Sequence, residues 1–231
     1  MTPLELLLRH DLFRDLPQNL LQEVVALIHR VAAPAGQVLF EKGDDGDCFY
    51  GLLDGRVQVG CTSESGREVI FSILETGAMF GEIAVLDGGP RTADVAVLED
   101  SELFLIHQGD FLRLIKTQPV LSGNLIRHLC RRLRRSSETI EDAALLGLSA
   151  RLAKRLLSLC ALSGHETREG CHIDIRLSQQ ELAQMMGVTR ESINKHLAAW
   201  RENGLIDLAR GRIILHDVPA LRKIVSEAMD S

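Results

Sequence analysis

Glu82 and Arg91 bracket the stretch Ile83-Ala84-Val85-Leu86-Asp87-Gly88-Gly89-Pro90 and follow Phe80-Gly81, which places one acid and one base at the ends of a segment built to turn. Gly81 lets backbone pass close to a ligand, and Gly88-Gly89-Pro90 returns the chain so that Arg91 comes back toward Glu82. A guanidinium offers a planar fork of donors suited to a phosphate, whereas a carboxylate is acceptor-only and suits a sugar hydroxyl. A phosphate tied to a ribose would satisfy both. Thr92 adds a hydroxyl, and the successive backbone N–H groups of Gly81, Glu82, Ile83 and Ala84, with those of Thr92 and Ala93, are spaced to form a nest for the remaining oxygens.

A second group of residues has the chemistry of base reading. Ser178-Gln179-Gln180-Glu181 fits a capping box that opens a helix with Leu182, Ala183 and Met186 inward. Gly187-Val188 makes a tight turn, and Thr189 caps a second helix with Ile193, Leu197 and Trp200 inward. Arg190, Glu191, Asn194 and Lys195 then share its outer face at the N-terminal end, where a helix in the major groove meets base edges. Arginine grips guanine through two bonds and glutamate accepts from a cytosine amino group; lysine reaches guanine without the rigid fork. Leu205–Leu208 and Arg212–Leu215, joined across Ala209-Arg210-Gly211, read as a hairpin wing beside these helices.

The elements that must hold these groups follow from the hydrophobic pattern. Residues 4–30 carry helical spacing, with Leu20, Val24, Leu27 and Ile28 on one stripe and Pro17 near the start of the second helix. From Val38 to Ile106 the texture changes to short β-rich runs: Val38–Phe40, Phe49–Leu53, Arg56–Gly60, Glu68–Leu74, Thr92–Val97 and Glu102–Ile106. Gly43-Asp44-Asp45-Gly46, Asp54-Gly55, Ser65-Gly66 and Thr76-Gly77 punctuate them. Strands so spaced suit an antiparallel roll or barrel, and the turns alone also suit a sandwich. The cradle would lie within this array, with Phe71, Leu74 and Ile83 as apolar walls for a base or as ordinary core. Asp110 is placed to cap a short helix through Ile115, and Pro119 to open a much longer one. On the long helix Ile126, Leu129, Leu133, Ser136, Ile140 and Ala143 recur at alternating spacings of three and four, the pattern of a coiled-coil seam or of an amphipathic helix on its own core. Arg131, Arg132, Arg134 and Arg135 around it read as a solvated face, and Gly147 as a hinge.

Composition narrows the partners. The net charge is −6, yet residues from Ser149 onward hold twelve Lys and Arg against ten Asp and Glu, or +2, which leaves −8 for residues 1–148. Only the C-terminal third suits DNA, through a few placed cations rather than a broad field. The five cysteines, at 48, 61, 130, 160 and 171, are odd in number and form no close pair; they read as reduced thiols of a cytoplasmic protein, with no metal site. Glu5 interrupts the leucine-rich start, and no apolar run reaches the roughly 18 residues of a membrane span. No Walker loop, zinc-ligand cluster or nucleophile elbow is present, so an enzyme is disfavoured.

From about Phe13 to about Val218 the chain resembles the Crp/Fnr family of bacterial transcription regulators, nearest its cyclic-nucleotide-binding branch, with Gly81 to Ala93 resembling the phosphate-binding cassette. The resemblance implies an α+β protein: an N-terminal antiparallel β-roll with flanking helices (residues 1–117), a dimerisation helix and hinge (118–147) and a C-terminal winged helix-turn-helix (148–231). It further implies a homodimer on a palindromic operator in double-stranded DNA, with RNA polymerase as a partner through a loop near Gly164 to Cys171. Glu82 would hold the ribose 2′-hydroxyl, Arg91 the cyclic phosphate, and Ser136 and Ser137 the base, one of them across the dimer. The effector implied is cAMP, with cGMP left open because Thr92 resembles the threonine of cGMP-preferring domains. A regulator on the same scaffold that senses haem, a gas or redox state, or that works without a ligand, is the alternative: His107 and His128 are the histidines for haem, while no cysteine precedes Cys48 to hold an iron–sulfur cluster.

Overall fold

A computed structural model describes residues 1–167, 169–173, 177–209 and 212–229. It divides into two units, Met1–Arg134 and Arg135–Ser231.

The first unit opens with α1 (Pro3–Arg9) and α2 (Gln18–Ala26), continues through β1 (His29–Ala33), β2 (Val38–Phe40), β3 (Cys48–Thr62), β4 (Glu68–Glu75) and β5 (Met79–Phe80), and reaches α3 (Glu82–Asp87). β6 (Asp94–His107) and α4 (Gln108–Thr117) follow, then α5 (Pro119–Leu145), which runs on past the division. All strand pairings are antiparallel, in the order β1-β6-β3-β4, with β2 also on β6 and β5 on β3. This is the β-roll. Thr2 and Glu5 close a capping box on α1, and Pro17 is the N-cap of α2. Leu6, Leu7, Leu20, Leu21 and Val24 of these helices bury against Phe49, Leu53, Phe104 and Ile106 of the sheet, Phe111 and Leu114 of α4, and Leu121 and Leu125 of α5. A second core of Phe40, Leu52, Val57, Phe80, Val95, Val97 and Leu103 fills the roll itself.

Several expectations are corrected here. Phe49–Leu53 and Arg56–Gly60 are one strand, because Asp54-Gly55 is a bulged bend rather than a hairpin: Gly55 has φ +101° and the register shifts on both sides of Asp54. Thr92–Val97 and Glu102–Ile106 likewise merge into β6, the partner of that bent strand. β1 starts at the very end of the stretch given helical spacing, residues 4–30, and its last three residues were assigned to no element. Asp110 does not cap α4; it lies inside the first turn and pairs with Arg113 at 3.0 Å, while His107 is the N-cap. Phe71 is not ordinary core. The register of β3 on β4 passes from Val59↔Ser72 to Gly60↔Ile70, so Phe71 is the extra residue of a bulge and is 53% exposed.

The second unit holds α6 (Leu148–Ser163), β7 (Gly164–Thr167), β8 (Gly170–Ile173), α7 (Gln179–Met186), α8 (Arg190–Glu202), β9 (Ile206–Ala209), β10 (Arg212–Leu215) and α9 (Val218–Met229). Its sheet order is β7-β8-β10-β9. The residues expected to form a loop near Gly164 to Cys171 belong to the β7–β8 hairpin, Arg168 lying outside the described residues. The wing strand expected over Leu205–Leu208 is displaced by one residue, and Arg210 and Gly211 of its turn also lie outside the described residues. Cys160 and Cys171 are joined in a disulfide, with Cα atoms 6.2 Å apart. This overturns the reading of five free thiols: the pair stands eleven positions apart in sequence, but the β7–β8 hairpin folds β8 back on the end of α6.

Candidate ligand cradle and nucleic-acid interface

β5 ends at Phe80, and Gly81, with φ +81°, turns the chain sharply into α3. A side chain at Gly81 would place Cβ 2.8 Å from Arg91 Nη1, so only glycine admits the guanidinium. Glu82 is the first residue of α3 and is 6% exposed. The helix stops at Gly88 (φ +69°), and Gly89 N–H donates to Asp87 Oδ1 at 2.8 Å as the chain returns. Arg91 then points inward and is 4% exposed. Its Nη1 donates to Gly81 O at 2.8 Å and its Nη2 to Cys48 O at 2.7 Å, while Cζ stands 4.1 Å above the Phe40 ring. The return of Arg91 to the Gly81–Glu82 end is the turn read in the sequence.

The electrostatics of this arrangement are unbalanced. Arg91 is a buried cation whose partners are two carbonyls, a thiol and aromatic faces; among the described residues no carboxylate pairs with it, and its buried Nε has no hydrogen-bond partner. A buried charge left without a counter-charge is costly, so the site is prepared for an anion. Tyr50 and Phe80 stack at 5.4 Å beside it, and burial raises the Tyr50 hydroxyl above its ordinary range and pushes the Cys48 thiol up.

Two contributors were missed in the sequence. Arg132 of α5 reaches the cradle and donates from Nη1 to Glu82 Oε1, so it is not merely part of a solvated run. Burial lowers the pKa of its guanidinium. The turn Gly43–Gly46 is the other: Arg91 N–H donates to Asp44 O at 2.8 Å and Gly43 N–H to Arg91 O at 2.9 Å. A Cβ on Gly46 would collide with Ala84 and lie 3.1 Å from Arg91 Nε. Two glycines flanking two aspartates carried that signal, and read as a surface turn it gave no hint of what packs on it.

Of the other expected ligand residues, Ala84 is buried, Ile83 half-buried and Thr92 exposed. Ser136 and Ser137 belong to the second unit and are exposed on α5. Ile126, Leu133 and Ile140 on that helix are 62%, 68% and 70% exposed, whereas Leu129 packs against the first unit's core. His107 faces His29 and His128 faces His10, each pair with ring centroids 5.4 Å apart. Among the described residues no group of three or more His, Cys, Asp or Glu could hold a metal ion, and no helix is long and apolar enough to cross a membrane.

In the second unit Ser178 and Glu181 form the capping box of α7, and Gly187 (φ +67°) ends that helix. Thr189 Oγ1 accepts from Ser192 N–H at 3.2 Å as the N-cap of α8. Ile193, Leu197 and Trp200 are buried, which leaves Arg190, Glu191 and Lys195 exposed at the N-terminal end of α8. Asn194 is half-buried, its Oδ1 without a partner.

A β-roll, a long helix and a winged helix-turn-helix are the architecture of a DNA-binding transcription regulator, the class to which the comparisons with known proteins point. The sequence model of the cyclic nucleotide-binding domain matches residues 30–118, and that of the Crp-like helix-turn-helix domain matches residues 150–224. The Cyclic AMP receptor protein of Thermus thermophilus is 30% identical over 213 residues, covering 92% of this chain and 95% of its own. The CRP-like cAMP-activated global transcriptional regulator of Mycobacterium tuberculosis is 29% identical over 219 residues, covering 95% and 98%. The crystal structure of Thermus thermophilus catabolite activator protein superposes with a TM-score of 0.55 at 28% identity, covering 95% of this chain and all of that one (100%). The chain belongs to the Crp/Fnr family of transcription regulators.

Proposed function

We propose that the protein is a cytoplasmic homodimeric transcription regulator switched by a cyclic nucleotide, with cAMP as the effector and cGMP as the competitor to be tested. The observation that carries this reading is the buried, carboxylate-free Arg91 with its open Nε, set beside the buried Glu82. The cyclic phosphate supplies the missing negative charge, and Glu82 accepts from the ribose 2′-hydroxyl. Gly81, Ile83, Ala84 and Thr92 line the same ligand.

Arg132 supports a route from ligand to helix. It belongs to α5 and bonds the carboxylate that the ribose would use, so filling the cradle alters what holds α5 to the roll. Ser136 and Ser137, four and five residues further on, are the base-reading residues of this proposal. The exposed Ile126, Leu133 and Ile140, spaced by seven, supply the dimer seam. A ligand moves the equilibrium only if it binds one arrangement better than the other. The arrangement it favours sets two recognition helices one DNA turn apart, about 34 Å, for a palindromic operator. Thr189, Arg190, Glu191, Asn194 and Lys195 then meet the DNA, and RNA polymerase is the partner through which transcription responds.

Calorimetric titration of cAMP and cGMP into the wild type and Arg91→Ala tests the reading. Micromolar binding of one nucleotide, lost in Arg91→Ala, is expected; no heat from either nucleotide overturns it.

A further inference from the structure

The disulfide between Cys160 and Cys171 belongs to the second unit, whereas Glu82 and Arg91 belong to the first, and its placement suits chemistry of its own. Cys160 lies in the last turn of α6 and is half-buried; Cys171 lies in β8 and is 3% exposed. Their Cα separation of 6.2 Å is within the range a bridge spans without backbone movement. The corner between them is built for this approach. Gly164 N–H donates to Cys160 O, and a Cβ on Gly164 would lie 2.7 Å from Cys171 Sγ and 2.9 Å from Cys160 Cα. Glycine there lets the two sulfurs meet.

The bond ties α6 to the sheet that carries the wing. Cys171 pairs with Leu215 in β10, and β10 pairs with β9 to form that wing. A DNA-binding regulator works where thiols are kept reduced, and a bridge in such a protein is more often a redox-responsive element than a structural one. Cys48, Cys61 and Cys130 are free, so the pairing is selective even though Cys130 is the exposed thiol.

We propose that Cys160 and Cys171 are a reversible redox modification site of the DNA-binding unit, oxidised by a peroxide and reduced by a dithiol. The half-buried Cys160 is the attacking thiol: its thiolate takes one oxygen of hydrogen peroxide, forming a sulfenic acid and releasing hydroxide, which leaves as water once protonated. The Cys171 sulfur then attacks the Cys160 sulfur, the S–O bond breaks and a second water leaves. Two thiols and one peroxide give one disulfide and two waters; a dithiol reverses the bond by exchange. Locking α6 to β8 lowers the ordering cost of placing the wing on DNA, so the oxidised form binds duplex roughly three- to tenfold more tightly.

The test uses the full chain carrying Cys130→Ser, treated with hydrogen peroxide or with dithiothreitol and otherwise identical. Differential alkylation and peptide mass mapping should find the Cys160–Cys171 linked peptide after peroxide and two alkylated thiols after dithiothreitol. Affinity is then measured for a fluorescent duplex selected from a random pool by the reduced protein. The oxidised form should bind more tightly, and Cys160→Ser should match the reduced form under both treatments. Absence of the linked peptide, a bond that resists excess dithiothreitol, or equal affinities of the oxidised and reduced Cys130→Ser protein each overturn the proposal. Those measurements on the Cys130→Ser background decide the matter even if adding Cys160→Ser prevents folding. The mass mapping involves no nucleotide, so its outcome is independent of the effector.

Discussion

Arg132 of α5 donates to Oε1 of the buried Glu82, so the long helix and the ligand cradle share one ion pair. Glu82 is 6% exposed, and removing its cation strands a buried carboxylate. Arg132→Ala should cost the first unit about 1–3 kcal/mol, and Glu82→Gln in the same background should recover much of that loss by removing the charge. A double-mutant cycle by urea unfolding measures the coupling; additive losses would show that the pair contributes nothing.

Gly46 faces the guanidinium of Arg91 from the neighbouring turn. Its missing side chain is a structural requirement, since a Cβ would collide with Ala84 and sit 3.1 Å from Arg91 Nε. Gly46→Ala should displace the cradle and weaken nucleotide binding at least tenfold, with a stability loss of about 1–3 kcal/mol from overpacking. Gly43→Ala is the control, because nothing lies within 4 Å of the added atom, although its φ of +101° brings strain of its own. Calorimetry on both variants separates crowding of Arg91 from simple distortion of the turn.

The sequence made both ends of the cradle legible because chemistry and turn residues coincide there: Gly81 and Gly88 have the positive φ expected of them, and Arg91 returns as the turn required. The helix-turn-helix was equally legible, since both caps are side chains that act on their own first turn. What failed was non-local. Asp54-Gly55 has the composition of a hairpin, and only its pairing with β6 shows it to be a bulge. Arg132 sits in a run of arginines whose solvated average conceals the one that reaches Glu82, fifty residues away. The Cys160–Cys171 bond depends on how a hairpin folds over a helix end, which cysteine spacing alone does not encode.

His10 gives the first unit a pH dependence. Burial is the main reason its pKa falls from 6.5 to about 4; the neighbouring His128 and Arg131 lower it further, and Asp11 opposes them. The folded state therefore binds fewer protons than the unfolded chain between those two values. Stability is complete above 6.5 and declines as pH falls toward about 4, by at most about 3 kcal/mol. His10→Asn keeps an acceptor for the Leu12 N–H, which His10 Nδ1 accepts at 3.3 Å. It should flatten the slope of unfolding free energy between about pH 6.5 and about pH 4.5; an unchanged slope would assign the dependence to other groups.

Ile126 and Ile140, 62% and 70% exposed on α5, lie on the seam proposed for the dimer. In a two-fold dimer each substitution counts twice, and burying an isoleucine contributes about 1.5–3 kcal/mol. Ile140→Asp should therefore raise the dimer dissociation constant by roughly a hundredfold or more, read by sedimentation equilibrium. A wild type that sediments as a monomer at micromolar concentration would remove the basis for the seam.

Arg190 and Lys195 stand exposed on α8 after a helix start fixed by Thr189, so their side chains project from a rigid backbone. The roles proposed for them on DNA differ. Arg190 offers two parallel donors, so Arg190→Ala should cost about 1–3 kcal/mol of operator affinity and relax the choice of base at one position in each half-site. Lys195 is a point charge on a flexible stem. Lys195→Ala should weaken specific and non-specific DNA alike and reduce the salt slope by about one unit for each lysine that contacts a phosphate. Lys195→Arg supplies a rigid fork and should sharpen preference for guanine at the base pair it meets, by roughly tenfold if both donors engage. Selection from a random duplex library, repeated at two salt concentrations, distinguishes these roles: an Arg190→Ala protein that selects the same sequences as wild type would place the base-reading contact elsewhere on α8.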